Sequence, residues 1–198
     1  MTYETSPEMS ERKRARRERL LKAAVRLFGR RGYHATTVPA IVRQARSSIG
    51  SFYSYFRNKE DVFGAALDEA GQALGAAIDQ QASAGPGVRG KVRALSERCF
   101  LWLTENPAEA RILLTESSGL SEALGGRRRG QLDSLAKRFE AALEGSVPGK
   151  RDRETAARCF LGATIESSRH WLETKPEDRV SATDVASRIS RFQQRGVA

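Results

Sequence analysis

From Thr36 to Phe63 the chain reads TTVPAIVRQARSSIGSFYSYFRNKEDVF, and this stretch leaves few folds open. Val38, Ile41 and Val42 make one apolar face of a short helix, and Thr37 stands where a hydroxyl caps its first N–H groups. Ser48 is placed to cap a second short helix, Ile49 to Phe56, in which Phe52 and Phe56 share a face. The other side of that helix carries Gly50, Ser51, Tyr53, Ser54 and Tyr55, with no acidic residue. Asn58, Lys59, Glu60 and Asp61 then read as N-cap to N3 of a longer helix, in a capping-box arrangement. Helix, tight turn and a helix with an acid-free polar face are the outline of a helix-turn-helix unit.

Thr36-Thr37-Val38, Ser48-Ile49-Gly50-Ser51-Phe52-Tyr53-Ser54-Tyr55-Phe56 and Asn58-Lys59-Glu60-Asp61 together resemble the signature of the tetracycline-repressor (TetR) family. The resemblance covers about the first third of the chain. It departs from the family at the turn, where Arg46 and Ser47 replace the usual glycine and apolar residue. A positive φ there would cost Arg46 about 1 kcal/mol or more, which a phosphate contact could offset.

Charge follows the motif. Residues 1–60 hold 14 of the 34 Lys and Arg but only 5 of the 24 Asp and Glu, so nearly all of the net +10 lies beside the helix-turn-helix. That is the electrostatic footprint a phosphate backbone requires. Cys99 and Cys159 are too few and too far apart for a disulfide framework or a zinc site; both fall in apolar helical patterns and are expected to be buried thiols. The basic N-terminus has no apolar h-region, and no stretch approaches about 20 apolar residues. A cytoplasmic protein that does not contact a membrane is the expectation.

Before the motif, Glu11 to Arg31 shows a helical stripe of Leu20, Ala24, Leu27 and Phe28, with Gly32 as the stop. Its first turns carry Arg12, Lys13, Arg14, Arg16, Arg17 and Arg19, a basic arm able to track phosphates; Arg14 and Arg17 are its leading contacts. After the motif, a long helix from Lys59 to about Gln81 carries Val62, Phe63, Leu67, Ala70, Leu74, Ala77 and Ile78. Gly71 and Gly75, four apart, give it a small-residue face for close approach of another helix. Ser83-Ala84-Gly85-Pro86-Gly87 is the clearest break. Beyond it the pattern is helical throughout: Val88–Glu105, a short helix capped by Asn106 and Pro107 that fades at Gly119, Ser121–Glu144 interrupted at Gly125-Gly126, Asp152–Glu173, and a last helix opened by Ser181 and Asp184.

The expected fold is therefore all-α, and the resemblance implies a three-helix DNA-binding domain over residues 1–58 joined to a helical effector and dimerisation bundle over 59–198. The resemblance implies that Ser48 and Ile49 begin the reading helix and that Gly50 allows close backbone approach. It also places Ser51 and Tyr53 toward bases or phosphates and Tyr55 toward the DNA backbone, with Ser54 among the DNA-binding residues. Thr37 and Lys59, each at a helix N-terminus, would clamp phosphate, as would Arg46 in the turn. It implies too that the last two long helices pair with their copies as a four-helix bundle, setting two reading helices about 34 Å apart on a near-palindromic operator.

For a small-molecule effector pocket the candidates are Trp102, Arg111, Glu116, Glu166, His170 and Trp171, with Phe139 and Phe160 as apolar lining. Each competes with an ordinary place in the core or in a surface ion pair. Catalysis has no support: Ser134-Leu135-Ala136-Lys137 lacks companion motifs, Gly145–Lys150 is too short for a phosphate loop, and His34 and His170 build no metal site or triad. No cofactor or metal is expected. The reading is a dimeric, ligand-released repressor; the alternative is a ligand-independent architectural DNA-binding protein whose bundle serves only to dimerise.

Overall fold

A computed structural model describes residues 7–81, 84–114 and 120–195. Its described residues form nine α-helices and one 3₁₀ turn, with no strand. The chain divides into two compact units, residues 1–66 and 67–198.

The first unit holds α1 (Pro7–Ala35), α2 (Val38–Gln44), α3 (Ile49–Tyr53) and the start of α4 (Lys59–Asp79). Its core is aromatic. Phe28 meets Phe63 edge-on with ring centroids 4.9 Å apart, Phe63 meets Tyr33 at 5.0 Å, and Phe52 lies 5.5 Å from Phe56. Leu20, Ile41 and Val62 close the remaining space and are fully buried. The expected stop at Gly32 is present: its φ of 78° and ψ of 170° break the helical path inside α1. Few residues other than glycine reach that conformation.

The second unit contains the rest of α4, then α5 (Gly87–Glu105), α6 (Pro107–Leu114), α7 (Glu122–Ala142), α8 (Lys150–Glu173) and α9 (Ala182–Arg195), with the 3₁₀ turn at Pro176–Asp178. Phe100 on α5 packs with Ala186 and Ile189 of α9, and Trp171 of α8 joins that cluster. A buried polar network crosses the same three helices. Gln193 of α9 accepts from the Ser96 hydroxyl and donates to the Phe160 carbonyl (2.9 Å) and to the Thr164 hydroxyl (3.2 Å). Every polar atom of that amide is thus engaged, which is the condition for a buried network to help rather than cost stability.

Four features depart from the sequence reading. The glycine pair at 125–126 does not interrupt α7, which runs unbroken from Glu122 to Ala142. Leu124 is buried just before the pair, and just after it Arg128 donates to the carbonyls of Leu113 (2.6 Å) and Leu114 (3.4 Å). Tertiary contacts on both sides outweigh a propensity loss of about 1 kcal/mol per glycine. Asn106 turns its side chain back to the Trp102 carbonyl at 2.8 Å, so it closes the end of α5 as well as preceding α6. Cys159 is exposed on α8; only Cys99 is buried, and burial pushes its thiol up to about 12. The small-residue face of α4 receives side chains rather than a helix backbone. Gln131 and Arg138 of α7 lie against Gly71 and Gly75, where a Cβ would collide with them.

Candidate nucleic-acid interface

Each short helix of the motif is held by the cap expected for it. The Thr37 hydroxyl accepts from Ala40 N (3.4 Å), Ser48 from Ser51 N (3.1 Å), and the Asn58 side chain from Asp61 N (2.8 Å). The reciprocal bond of the third cap reaches one residue further back than a standard box: the Asp61 carboxylate accepts from Arg57 N at 3.0 Å.

The turn between α2 and α3 confirms the departure at Arg46. Arg46 N donates to the Arg43 carbonyl (3.2 Å) and Ser47 N to the Val42 carbonyl (3.0 Å). Those two bonds are a Schellman termination, whose C′ residue sits in the left-handed region and is usually glycine. Here Arg46 occupies it, with φ at 49°, the one non-glycine residue with positive φ among the described residues. Arg46→Gly is expected to raise the stability of the first unit by about 0.5–1 kcal/mol, because it removes the left-handed penalty but adds chain entropy to the unfolded state. If the exposed guanidinium meets phosphate, the same variant binds DNA more weakly and with a shallower salt slope. Chemical denaturation and a salt-dependent binding titration read the two effects separately.

No carboxylate lies from Thr36 to Arg57, the span that holds this turn and both short helices. Ile49 and Tyr53 are large residues left in solvent on α3, 44% and 56% exposed. Gly50 is exposed, and a Cβ there would touch nothing, so no packing inside this chain demands glycine at that point. Ser48, Thr37 and Ser54 are exposed too, and the Ser54 hydroxyl donates to the Gly50 carbonyl at 3.0 Å. Tyr55 is half-buried. Arg14 and Arg17 are exposed on α1, and the Arg17 guanidinium lies 5.2 Å from the centre of the Phe56 ring, which brings the basic arm against the core beneath α3.

Two expected contacts are placed otherwise. Ser51 turns inward: its Oγ is buried and has no hydrogen-bond partner. Lys59 is half-buried, its ammonium donating to the Tyr33 carbonyl at 2.9 Å and standing 4.2 Å from the Tyr33 ring centre. It therefore anchors the end of α1 to the start of α4 and is already engaged.

The residues expected to line an effector pocket are scattered by their burial. Trp102, Phe139 and Phe160 are buried, Trp171 is half-buried, and Arg111, Glu166 and His170 are exposed. Glu166 is bound to Arg169, whose hydrogen bonds hold its carboxyl below the usual range, and Arg169 also grips Glu173. Glu116 lies outside the described residues. Phe160 instead reaches an open groove of about 690 Å³ along α8 and α9, lined also by Ala156, Cys159, Ala163 and Phe192. Phe192 is 74% exposed, the largest apolar exposure in the described chain. Among the described residues, no group of three or more His, Cys, Asp or Glu is placed to hold a metal ion, and no helix is long and apolar enough to cross a membrane.

Residues 20–66 match the family model described as bacterial regulatory proteins of the tetR family. That helix-turn-helix segment belongs to the TetR family. The chain is 26% identical over 185 residues to the HTH-type transcriptional repressor KstR of Mycolicibacterium smegmatis, covering 91% of its own length and 86% of that protein. Its fold matches that of the transcriptional regulator FadR from Bacillus subtilis, solved in complex with stearoyl-CoA, with a TM-score of 0.77 at 19% identity over 91% of this chain and 99% of that one. It also matches AibR, solved with isovaleryl coenzyme A and operator DNA, with a TM-score of 0.69 at 22% identity over 89% and 97%. The chain joins a TetR-family helix-turn-helix segment to a helical C-terminal domain, the make-up of a DNA-binding transcription regulator.

Proposed function

We propose that this protein is a dimeric repressor that reads a near-palindromic operator and is released by an acyl-CoA effector. The observation that carries the reading is the surface of α2 and α3. Ile49, Gly50, Tyr53 and Ser54 stand in solvent, without a carboxylate from Thr36 to Arg57, beside an α1 rich in exposed arginine. A helix inserted into a major groove needs such a face: small enough at Gly50 for close approach, hydroxylated at Tyr53 and Ser54 for base edges or phosphate, and free of repelling charge. Thr37 and Arg46 flank it as phosphate contacts.

The groove along α8 and α9 supports the dimer. A second copy seated there would cover Phe192 and Phe160 by a two-fold contact and bring two α3 helices to successive major-groove faces. The effector class rests on the acyl-CoA complexes of FadR and AibR. Trp102 and Phe139 are packed in the second unit, so an acyl chain reaching them would have to displace them. That displacement is how binding could favour a DNA-incompetent arrangement.

The test is operator affinity measured with isovaleryl-CoA and stearoyl-CoA at saturation. One of the two is expected to weaken operator binding about tenfold or more. Unchanged affinity with both thioesters would remove the acyl-CoA effector and leave the DNA-binding reading standing.

A further inference from the structure

The second unit carries a basic crevice that the reading above does not use. About 380 Å³ in volume, it is lined by Asp79 at the end of α4, Lys91 on α5, and Ser134, Lys137 and Arg138 on α7. Three cations from two helices face it against one carboxylate. The Arg138 guanidinium is fixed in place: it donates to both oxygens of Asp79 (3.0 and 3.1 Å) and to the Ser134 hydroxyl (2.8 Å), and it lies against Gly75. Lys91 and Lys137 have no ion pair or hydrogen bond with any described residue, although Lys91 is half-buried.

The crevice carries more positive than negative charge: one carboxylate, already paired with Arg138, faces three cations. An anion entering the opening meets positive charges on two helices, and partial burial at Lys91 lowers the solvent screening of that attraction. Here the walls of three helices gather them at one opening, with a preset Arg fork whose planar donors match phosphate oxygens.

We propose that this crevice binds a phosphate-bearing small molecule, with Lys91 and Lys137 supplying charge and Arg138 the oriented donors. The bound phosphate competes with Asp79 for Arg138, so occupancy loosens the tie between α7 and α4. The site is separate from the α8–α9 groove and does not depend on the effector being an acyl-CoA.

The experiment is calorimetric titration of the full chain with inorganic pyrophosphate and, in parallel, with adenosine diphosphate. The comparison variant is Lys91→Gln/Lys137→Gln, which keeps the length and packing of both stems. At least one probe is expected to bind the native chain with one site per chain, and the double variant to bind it about tenfold or more weakly. Tighter binding of the adenosine compound would identify the phosphate end of an organic ligand, and equal or weaker binding a free anion. Circular dichroism establishes that the variant is folded before the comparison is made. Equal binding by native and variant chains would place the anion on the DNA-binding unit and overturn the proposal, as would absence of binding by both probes.

Discussion

Phe192→Asp is expected to give a folded monomer that binds a two-half-site operator about 10²–10⁴-fold more weakly than the native chain. The fold survives because the Phe192 side chain is largely in solvent and supports no core contact. The loss comes from the assembly. In the proposed two-fold interface the new carboxylate would face a groove lined by Phe160, Ala156 and Ala163, so an apolar contact would become a desolvated charge twice over. Two reading heads then bind independently, and the advantage of an intramolecular second contact disappears. Sedimentation equilibrium gives the association state, and a titration against full and half operators gives the affinity. A variant that remains dimeric with native affinity would place the dimer contact elsewhere. A monomer with undiminished affinity would mean that one head suffices.

The second large effect lies in the first unit. Phe52→Ala is expected to cost about 3–5 kcal/mol, which is the range for removing a fully buried aromatic ring. Phe52 has no exposed surface and is flanked by Phe56 at 5.5 Å and Tyr53 at 5.4 Å. The helix α3 that carries it is five residues long and cannot hold itself together by backbone bonds alone. With the ring removed, α3 loses its only buried anchor, and the reading surface loses its shape along with its stability. Thermal unfolding should therefore show an early transition confined to this unit, with the second unit melting at its native temperature. A single native-like transition and unchanged DNA binding would mean that α3 is held by something other than its core face.

What was legible in the sequence was local. Thr37, Ser48, Asn58, Ser121 and Ser181 each accept a backbone N–H at the start of the helix expected to follow. A cap is decided within four residues, so the order of residues contains it. The strained turn at Arg46 was legible for the same reason: it follows from the register between two short helices. The failures needed the third dimension. Nothing within a few residues of Gly125 and Gly126 announces that Arg128 will grip the carbonyls of α6. Cys159 sits in an apolar pattern, but on the face of α8 that looks outward. Ser51 belongs to the polar side of α3 by sequence, yet its Oγ is turned under the helix. The crevice at Lys91, Lys137 and Arg138 was missed entirely. Its residues lie on two helices separated by more than forty positions, and only the Gly75 seat hinted that another element crosses α4.

The measurement that decides most is selection of purified protein against random double-stranded DNA, with sequencing of the bound pool and affinity followed across salt. A sequence-specific dimer predicts an inverted repeat whose half-sites lie about one helical turn apart or a multiple of it, with a steep salt slope. Mutating single base pairs of the selected site should then cost about 1–3 kcal/mol each. Salt-sensitive binding with no enriched sequence would contradict the specific-regulator reading and favour an architectural DNA-binding protein, with the strained turn at Arg46 the first place to look for the cause.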